Sequence, residues 1–163
     1  MPKFKKAKLV TFILIFAGIG HSFGQMTSDN IKDIVLKKAI KDSLFVVDTS
    51  QSGNHDETQL RYLGILKSTD GRIFKIMSYC WIWGISQRAT NRILIYNKAN
   101  QYLGNYKLDT KDELPTKIEG NKLIFSIKEN ERVRPLQTHI SFEKGLPKHI
   151  FIKYGNLYVF DGQ

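Results

Sequence analysis

The stretch that decides the fold reads RIFKIMSYCWIWGISQRATNRILIY and runs from Arg72 to Tyr96. It contains both tryptophans and the single cysteine of the chain. In an extended strand alternate side chains share a face, so one face carries Met77, Tyr79, Trp81 and Trp83 and the other carries Phe74, Ile76, Ser78, Cys80 and Ile82. Both faces are largely apolar, which predicts a central strand that is covered on both sides.

The sequence after Gly84 turns polar and then returns to the apolar run Ile93-Leu94-Ile95-Tyr96. This pattern predicts a second strand, with the polar segment at one end of the sheet. Short turn signals separate the further strands, because Gly and Asn supply the positive φ values that tight hairpins need. They are Asp70-Gly71, the segment from Asn97 to Asn100, Gly120-Asn121 and Gly155-Asn156.

Short connections favour antiparallel neighbours, since a parallel pair needs a long crossover. We therefore predict a mainly β fold, an antiparallel meander of about eight strands that forms a curved sheet or a barrel-like roll. A β-sandwich is the alternative. One amphipathic helix should precede the strands, with helix-start residues at 27–29 and an apolar stripe of Ile31, Ile34, Val35 and Ala39.

The first 24 residues have the pattern of a secretory signal peptide. Four lysines precede an apolar run from Leu9 to Gly20, and Ser22 and Gly24 come just before Gln25. An uncleaved anchor would need about 20 apolar residues, and this run is shorter. We expect residues 1–24 to be a signal peptide and residues 25–163 to be a single β-rich domain, exported to the periplasm or secreted, with no stable membrane anchor after cleavage. Such a layout is typical of small exported bacterial proteins.

The charge of the chain is strongly basic. The formal net charge is +10, and loss of the four leader lysines leaves 21 basic against 15 acidic residues, a net of +6. A basic surface favours anionic glycans, membrane headgroups or an acidic protein surface. No nucleic-acid-binding motif is present, and export separates the protein from nucleic acid. We therefore expect an unknown protein or envelope component as the partner, no nucleic acid and no cofactor, with no expectation for the oligomeric state.

The candidate ligand contacts lie in the central stretch. Tyr79, Trp81 and Trp83 could form an aromatic platform for a ligand, although aromatic rows also occur in ordinary cores. Arg88 and Arg92 are four residues apart and share a side of an extended strand. Two guanidinium groups could hold a carboxylate, phosphate or sulfate. Both interpretations of the aromatic row remain open at this point.

Catalytic and metal sites are poorly supported by the sequence. His55-Asp56-Glu57 places three possible ligands together, but zinc needs three or four that converge in space. Cys80 could be a nucleophile only with His139 or His149, and its apolar neighbours predict a buried, inert thiol. The carboxylates Asp109, Asp112 and Glu113 lie in a connection rather than around a cleft. We predict no metal site and no catalytic residues.

The resulting prediction is an exported, non-enzymatic binding or interaction domain that acts on a protein or a cell-envelope partner. A lipocalin-like carrier of a small apolar ligand is the alternative, in which the meander closes around a cavity. A hydrolase that uses the His55 loop ranks last. The tripeptide Tyr62-Leu63-Gly64 recurs as Tyr102-Leu103-Gly104, but the flanking residues do not match and no repeat architecture is expected.

Overall fold

The computed structural model describes residues 11–13, 28–127, 136–153 and 156–162 of the chain. One α-helix, α1 (Ser28–Lys38), and a short 3₁₀ helix (Lys111–Glu113) accompany the strands. The strands of these residues are β1 (Thr11–Ile13), β2 (Leu44–Asp48), β3 (Asp56–Lys67), β4 (Ile73–Trp83), β5 (Arg88–Asn97), β6 (Tyr102–Leu108), β7 (Lys117–Glu119), β8 (Lys122–Ile127), β9 (Leu136–Ser141), β10 (His149–Lys153) and β11 (Asn156–Gly162).

The strands form a large sheet and a small sheet. The large sheet has the order β1-β2-β3-β4-β5-β6-β11-β10, and the small sheet has the order β7-β8-β9. All pairs are antiparallel except β1, which runs parallel to β2. The prediction of a mainly β, antiparallel fold with one N-terminal helix is confirmed. Within the described residues the large sheet does not close into a barrel.

The order of the strands departs from a simple meander after β6. Strands β2 to β6 are sequential neighbours, but the next three strands form the separate small sheet. The chain then returns to the large sheet, where β11 pairs with β6 through Phe160 opposite Tyr106. Turn signals identify local hairpins, and they carry no information about this distant pairing.

The predicted turns lie where the sequence placed them, as far as the structure describes them. Gly71 adopts φ 84° between β3 and β4, and Asn100 adopts φ 65° between β5 and β6. Asn121 adopts φ 59° between β7 and β8. The predicted turn at Gly155-Asn156 falls partly outside the described residues.

The two faces of the large sheet are covered by different elements, as the double-sided apolar pattern of β4 predicts. The sheet-covered face carries Phe74 and Ile76, which share a core with Leu123 and Phe125 of the small sheet. The helix-covered face carries residues that share a second core with α1, namely Phe45, Leu60, Tyr62, Met77, Tyr79, Leu94 and Tyr96. Strand β4 thus separates two cores by simple alternation of its side chains.

Helix α1 buries a stripe that matches two of the four predicted positions. Ile31, Val35 and Leu36 are buried against the sheet, whereas Ile34 is 39% exposed. The prediction that Ile34 and Ala39 face the core was wrong, because the helix is rotated toward Leu36 and ends before Ala39. Ala39 itself adopts φ 46°, which terminates the helical conformation.

The recurring Tyr-Leu-Gly tripeptide supplies the same local geometry twice. Gly64 has φ 125° and Gly104 has φ 146°, and each lies at a shift in the strand register. A Cβ at Gly104 would clash with the carbonyl oxygen of Asp161. Glycine is therefore needed there both for the backbone conformation and for the close approach of β11.

Strand β1 lies inside the segment that the sequence predicts to be a leader. Its three residues pair with Leu44, Phe45 and Val46 of β2. If the leader is removed, β2 becomes the edge of the sheet in the mature domain. Within the described part of the chain, no helix is long and apolar enough to span a bilayer.

Candidate functional site: an aromatic–arginine surface

The pairing of β4 with β5 brings the five predicted ligand contacts together on the helix-covered face. Tyr79 is paired with Arg92, and Trp83 is paired with Arg88. Trp81 lies between them, opposite Thr90. Directly opposite residues of an antiparallel pair have neighbouring side chains on the same face. We call these five residues, Tyr79, Trp81, Trp83, Arg88 and Arg92, the aromatic–arginine surface.

The aromatic row runs from the core into solvent. Met77 is fully buried and Tyr79 is buried under α1, whereas Trp81 is 37% exposed and Trp83 is half-buried. Lys32 of α1 lies over the Tyr79 ring, with its Nζ 5.2 Å from the ring centroid. Neither of the two interpretations drawn from the sequence holds for the whole row. Its first half is core, and its second half is an open aromatic surface.

The two tryptophans are held in a fixed arrangement. Their rings stack with centroids 5.6 Å apart and an interplanar angle of 29°. The Trp81 Nε1–H donates a 2.8 Å hydrogen bond to Oδ1 of Asp56, whose Oδ2 accepts one from the Thr49 hydroxyl. The guanidinium of Arg88 lies 5.8 Å from the centroid of the Trp83 ring, within the range of a cation–π contact. The open half of the row is therefore preorganised, which reduces the entropy lost when a ligand binds.

Two hydrogen-bond donors of the surface are buried without an acceptor in the described part of the chain. The Trp83 Nε1 and the Arg92 Nε are both buried, and neither bonds to any residue that the structure describes. An unsatisfied buried donor costs about 1–3 kcal/mol, more if the group is charged. Both groups would gain from an acceptor supplied by water or by a bound partner. The surface therefore offers two buried N–H donors to an oxygen acceptor of a ligand.

The two arginines lie on one side of the same strand. Four residues of a strand span about 13 Å between Cα atoms. The Arg88 guanidinium lies near the Trp83 ring, while Arg92 is paired with Tyr79. The prediction that both guanidinium groups hold one anion stays a prediction. At this spacing the two side chains could reach one anion between them or two anionic groups of an extended ligand.

Further cations surround the surface. Lys107 of β6 is the neighbour of Arg92 in the sheet and is exposed, and Lys32 approaches from α1. Asp56 and Asp161 are acidic groups of this face. The carboxylate of Asp56 is engaged by Trp81 and Thr49, and Asp161 of β11 lies opposite Asn105. The local field of these groups is positive, so it attracts acidic partners.

The groups of the catalytic alternatives are each engaged or buried within the described residues. His55 Nε2 lies 3.9 Å from a carboxylate oxygen of Glu57, while Asp56 is bonded to Trp81. No group of three or more His, Cys, Asp or Glu side chains capable of holding a metal occurs among the described residues. Cys80 is buried as predicted, and this burial raises the pKa of its thiol, which disfavours the nucleophilic thiolate.

Glu113 is a buried carboxylate whose structural role the sequence interpretation missed. It is 4% exposed and accepts hydrogen bonds from the Thr110 amide and from the Asn156 side chain, each at 3.0 Å. These bonds join the connection after β6 to the C-terminal hairpin. The signal was present, because Thr110-Lys111-Asp112-Glu113 has the S/T-x-x-E pattern of a capping box.

An apolar cleft lies at the opposite end of the large sheet, beside the hairpin turns. It has a volume of about 570 Å³ and is lined mainly by Ile73, Phe74, Leu103, Leu146 and Phe160. Arg72 lies at its rim, where its Nε–H donates a 2.8 Å hydrogen bond to Asp70. This cleft is within the usual size range of small-molecule sites, about 300–1,000 Å³.

Comparison with known proteins gives no match: no protein-family model, no curated protein and no solved structure matches the chain.

Proposed function

We propose that this protein is an exported, non-enzymatic binding domain that recognises a protein or a cell-envelope component through the aromatic–arginine surface. The observation that carries the proposal is the stacked Trp81–Trp83 pair with Arg88 over the Trp83 ring. Tryptophan, tyrosine and arginine are the residues most enriched at the energetic centres of protein interfaces. Here they form one preorganised row that α1 leaves uncovered at its outer end.

The turn next to the surface supports a macromolecular partner. Ile85 follows Trp83 in the β4–β5 turn and is 88% exposed. A single exposed isoleucine is ordinary, but this one adjoins a half-open aromatic pair. Together they offer apolar contact area beside the cations of the row. A partner that covers Trp81 and Ile85 would bury apolar surface and bring its acidic groups to Arg88 and Arg92.

The chemistry of the partner follows from the charges and donors of the surface. The mature chain is expected to carry a net charge of +6, and the row itself offers two guanidinium groups and two unsatisfied donors. An extended acidic segment would match both features. Electrostatic attraction of this kind speeds association and weakens as the salt concentration rises.

The test is capture of a partner from cell-envelope extract by the purified protein, with two variants. Trp81→Ala combined with Arg88→Ala removes the open half of the row. Lys98→Ala is the matched control, because Lys98 is an exposed cation in the turn at the opposite end of β5. We expect the same captured component with the wild type and the control and at least about a ten-fold loss with the double variant. Equal capture by all three proteins would refute the proposal.

A second candidate function, a carrier of a small apolar ligand, is supported by the apolar cleft at Phe74 and Phe160 rather than by a closed barrel. The test is mass spectrometry of organic extracts of the purified protein, compared between the wild type and Leu103→Lys, which places a charge in that cleft. A ligand retained by the wild type and lost from Leu103→Lys would favour the carrier. No extractable ligand would leave the binding domain as the better account.

A further inference from the structure

A second, polar cleft opens on the sheet-covered face, away from the aromatic–arginine surface. Its floor is formed by Gln59 and Arg61 of β3 and by Ser78 and Cys80 of β4. Its roof is the connection between β6 and β7, which contributes residues 111, 112 and 114–116. The cleft has a volume of about 230 Å³. Ser126 of β8, in the small sheet, also lines it.

Two positive charges of this cleft have no partner among the described residues. Arg61 is half-buried on the floor, Lys111 lies on the roof, and both line the same space. Neither forms an ion pair or a side-chain hydrogen bond with the part of the chain that the structure describes. Asp112 also lines the cleft, so the three charges leave a net positive site.

The walls of the cleft offer neutral hydrogen-bonding groups beside these charges. Ser78 and Ser126 contribute hydroxyls, and Gln59 contributes an amide whose nitrogen is bonded to Glu57. A polar space bounded by two cations that pair with no described residue, by two hydroxyls and by an amide has the features of a small-molecule site rather than of a packing defect.

From this arrangement we infer that the cleft between Arg61 and Lys111 is a binding site for a small molecule that carries an oxyanion, a carboxylate or a phosphate. The guanidinium of Arg61 and the ammonium of Lys111 supply charge-assisted hydrogen bonds to the anionic group. Hydroxyls of the cleft bond the rest of the ligand. The volume, below the usual range of about 300–1,000 Å³ for drug-sized ligands, limits the ligand to a small metabolite or a free anion. This site is independent of the proposed partner-binding function.

The experiment is a titration followed by two-dimensional ¹H–¹⁵N NMR on the purified protein. Sodium phosphate and sodium succinate are the two probes, with sodium chloride at matched ionic strength as the reference. We expect the backbone amide signals of Ser78, Cys80 and the roof residues to shift in a saturable manner with at least one probe. The indole N–H signals of Trp81 and Trp83 should stay unchanged, because they lie on the other face of the sheet.

Variants test whether Arg61 and Lys111 bind the probe that shifts the amide signals. Lys111→Gln should weaken the binding of the effective probe about ten-fold, as expected for the loss of one charge-assisted hydrogen bond. Arg61→Gln should weaken it at least as much. Lys67→Gln is the control, since Lys67 is exposed on the same strand as Arg61 but outside the cleft. Lys111 is exposed, so its variant should fold normally.

Each outcome is decisive. A response to phosphate alone assigns the site to phosphate-bearing molecules, and a response to succinate alone assigns it to carboxylates. Shifts that chloride reproduces, shifts unchanged in Lys111→Gln, or no saturable response to either probe would overturn the inference. Shifts confined to the tryptophan indoles would place anion binding on the aromatic–arginine surface instead. That result would overturn the inferred anion site in the cleft and favour the proposed function.

Discussion

The two faces of the large sheet are built from the same strands and end up with opposite properties. On the sheet-covered face the aromatic side chains are enclosed, as Phe74 and Tyr106 are both buried. On the helix-covered face the eleven residues of α1 cover only part of the surface, and Trp81 remains 37% exposed. Large aromatic side chains are thus core or surface according to what lies over them. The composition of the strand does not distinguish the two cases.

The largest effect we expect is on the enclosed face. Phe125→Ala should lower the free energy of unfolding by about 3–5 kcal/mol, because it removes a fully buried ring and leaves a cavity. Trp81→Phe on the open face should cost only about 1 kcal/mol, since it keeps an aromatic ring and loses an exposed hydrogen bond. Urea unfolding of both variants measures the difference. Similar losses would show that the two faces do not differ as described.

A smaller effect is expected at the junction between the enclosed face and the C-terminal hairpin. Glu113→Ala should lower the free energy of unfolding by about 1–3 kcal/mol, because it leaves the Thr110 amide and the Asn156 side chain without their acceptor. Asp112→Ala is the control, as Asp112 is an exposed neighbour. Equal stability of the two variants would contradict this role.

The same carboxylate predicts a pH dependence. Burial acts to raise the pKa of Glu113, but hydrogen bonds from the Thr110 amide, Tyr158 and Asn156 outweigh it and hold the pKa below its usual value. A carboxyl whose pKa is depressed by folding stabilises the fold above its unfolded-state pKa of about 4.3. This stabilisation is lost as the pH falls through the folded-state pKa. The acid destabilisation of the wild type should therefore exceed that of Glu113→Gln in urea unfolding followed from pH 7 downward.

How much of this arrangement the sequence could predict depends on the range of the interactions. The alternation of side chains along β4 predicted that Met77 and Ile76 lie on opposite faces of the sheet. The Asp70-Gly71 signal predicted the hairpin between β3 and β4. Such features depend on residues that are close in the chain. The pairing of β11 with β6 depends on Gly104, which permits close approach of the backbone of Asp161, and that contact is visible only in the folded chain.

The candidate sites differ in the same way. Arg88 and Trp83 are five residues apart, so the hairpin alone places them together and the aromatic–arginine surface could be predicted. Arg61 and Lys111 are separated by 50 residues and meet only because the connection after β6 folds over β3 and β4. The exposed fraction of Trp81 could not be predicted from the sequence either, because it depends on how much of the sheet face α1 covers. Local patterns thus predict which residues share a face, and tertiary packing decides which of them stay open.

The smallest effect is expected at the edge of the large sheet. A chain that begins at Gln25 lacks β1, which contributes only three residues at the edge of β2. Its thermal midpoint should lie within about 2–4 °C of the full chain, a difference of no more than about 1 kcal/mol. Mass measurement of the exported protein should also find Gln25 as the first residue. A large destabilisation on truncation would show that residues 1–24 belong to the fold.

Acrylamide quenching of tryptophan fluorescence most directly tests whether the outer half of the aromatic row, Trp81 and Trp83, is open to solvent. Trp81 and Trp83 are the two tryptophans of the chain, so Trp83→Phe reports on Trp81 alone and Trp81→Phe reports on Trp83 alone. We expect red-shifted, readily quenched emission from Trp81 and weaker quenching of the half-buried Trp83. Blue-shifted emission resistant to acrylamide in both variants would mean that the whole row is core. That result would contradict the account of an open aromatic–arginine surface.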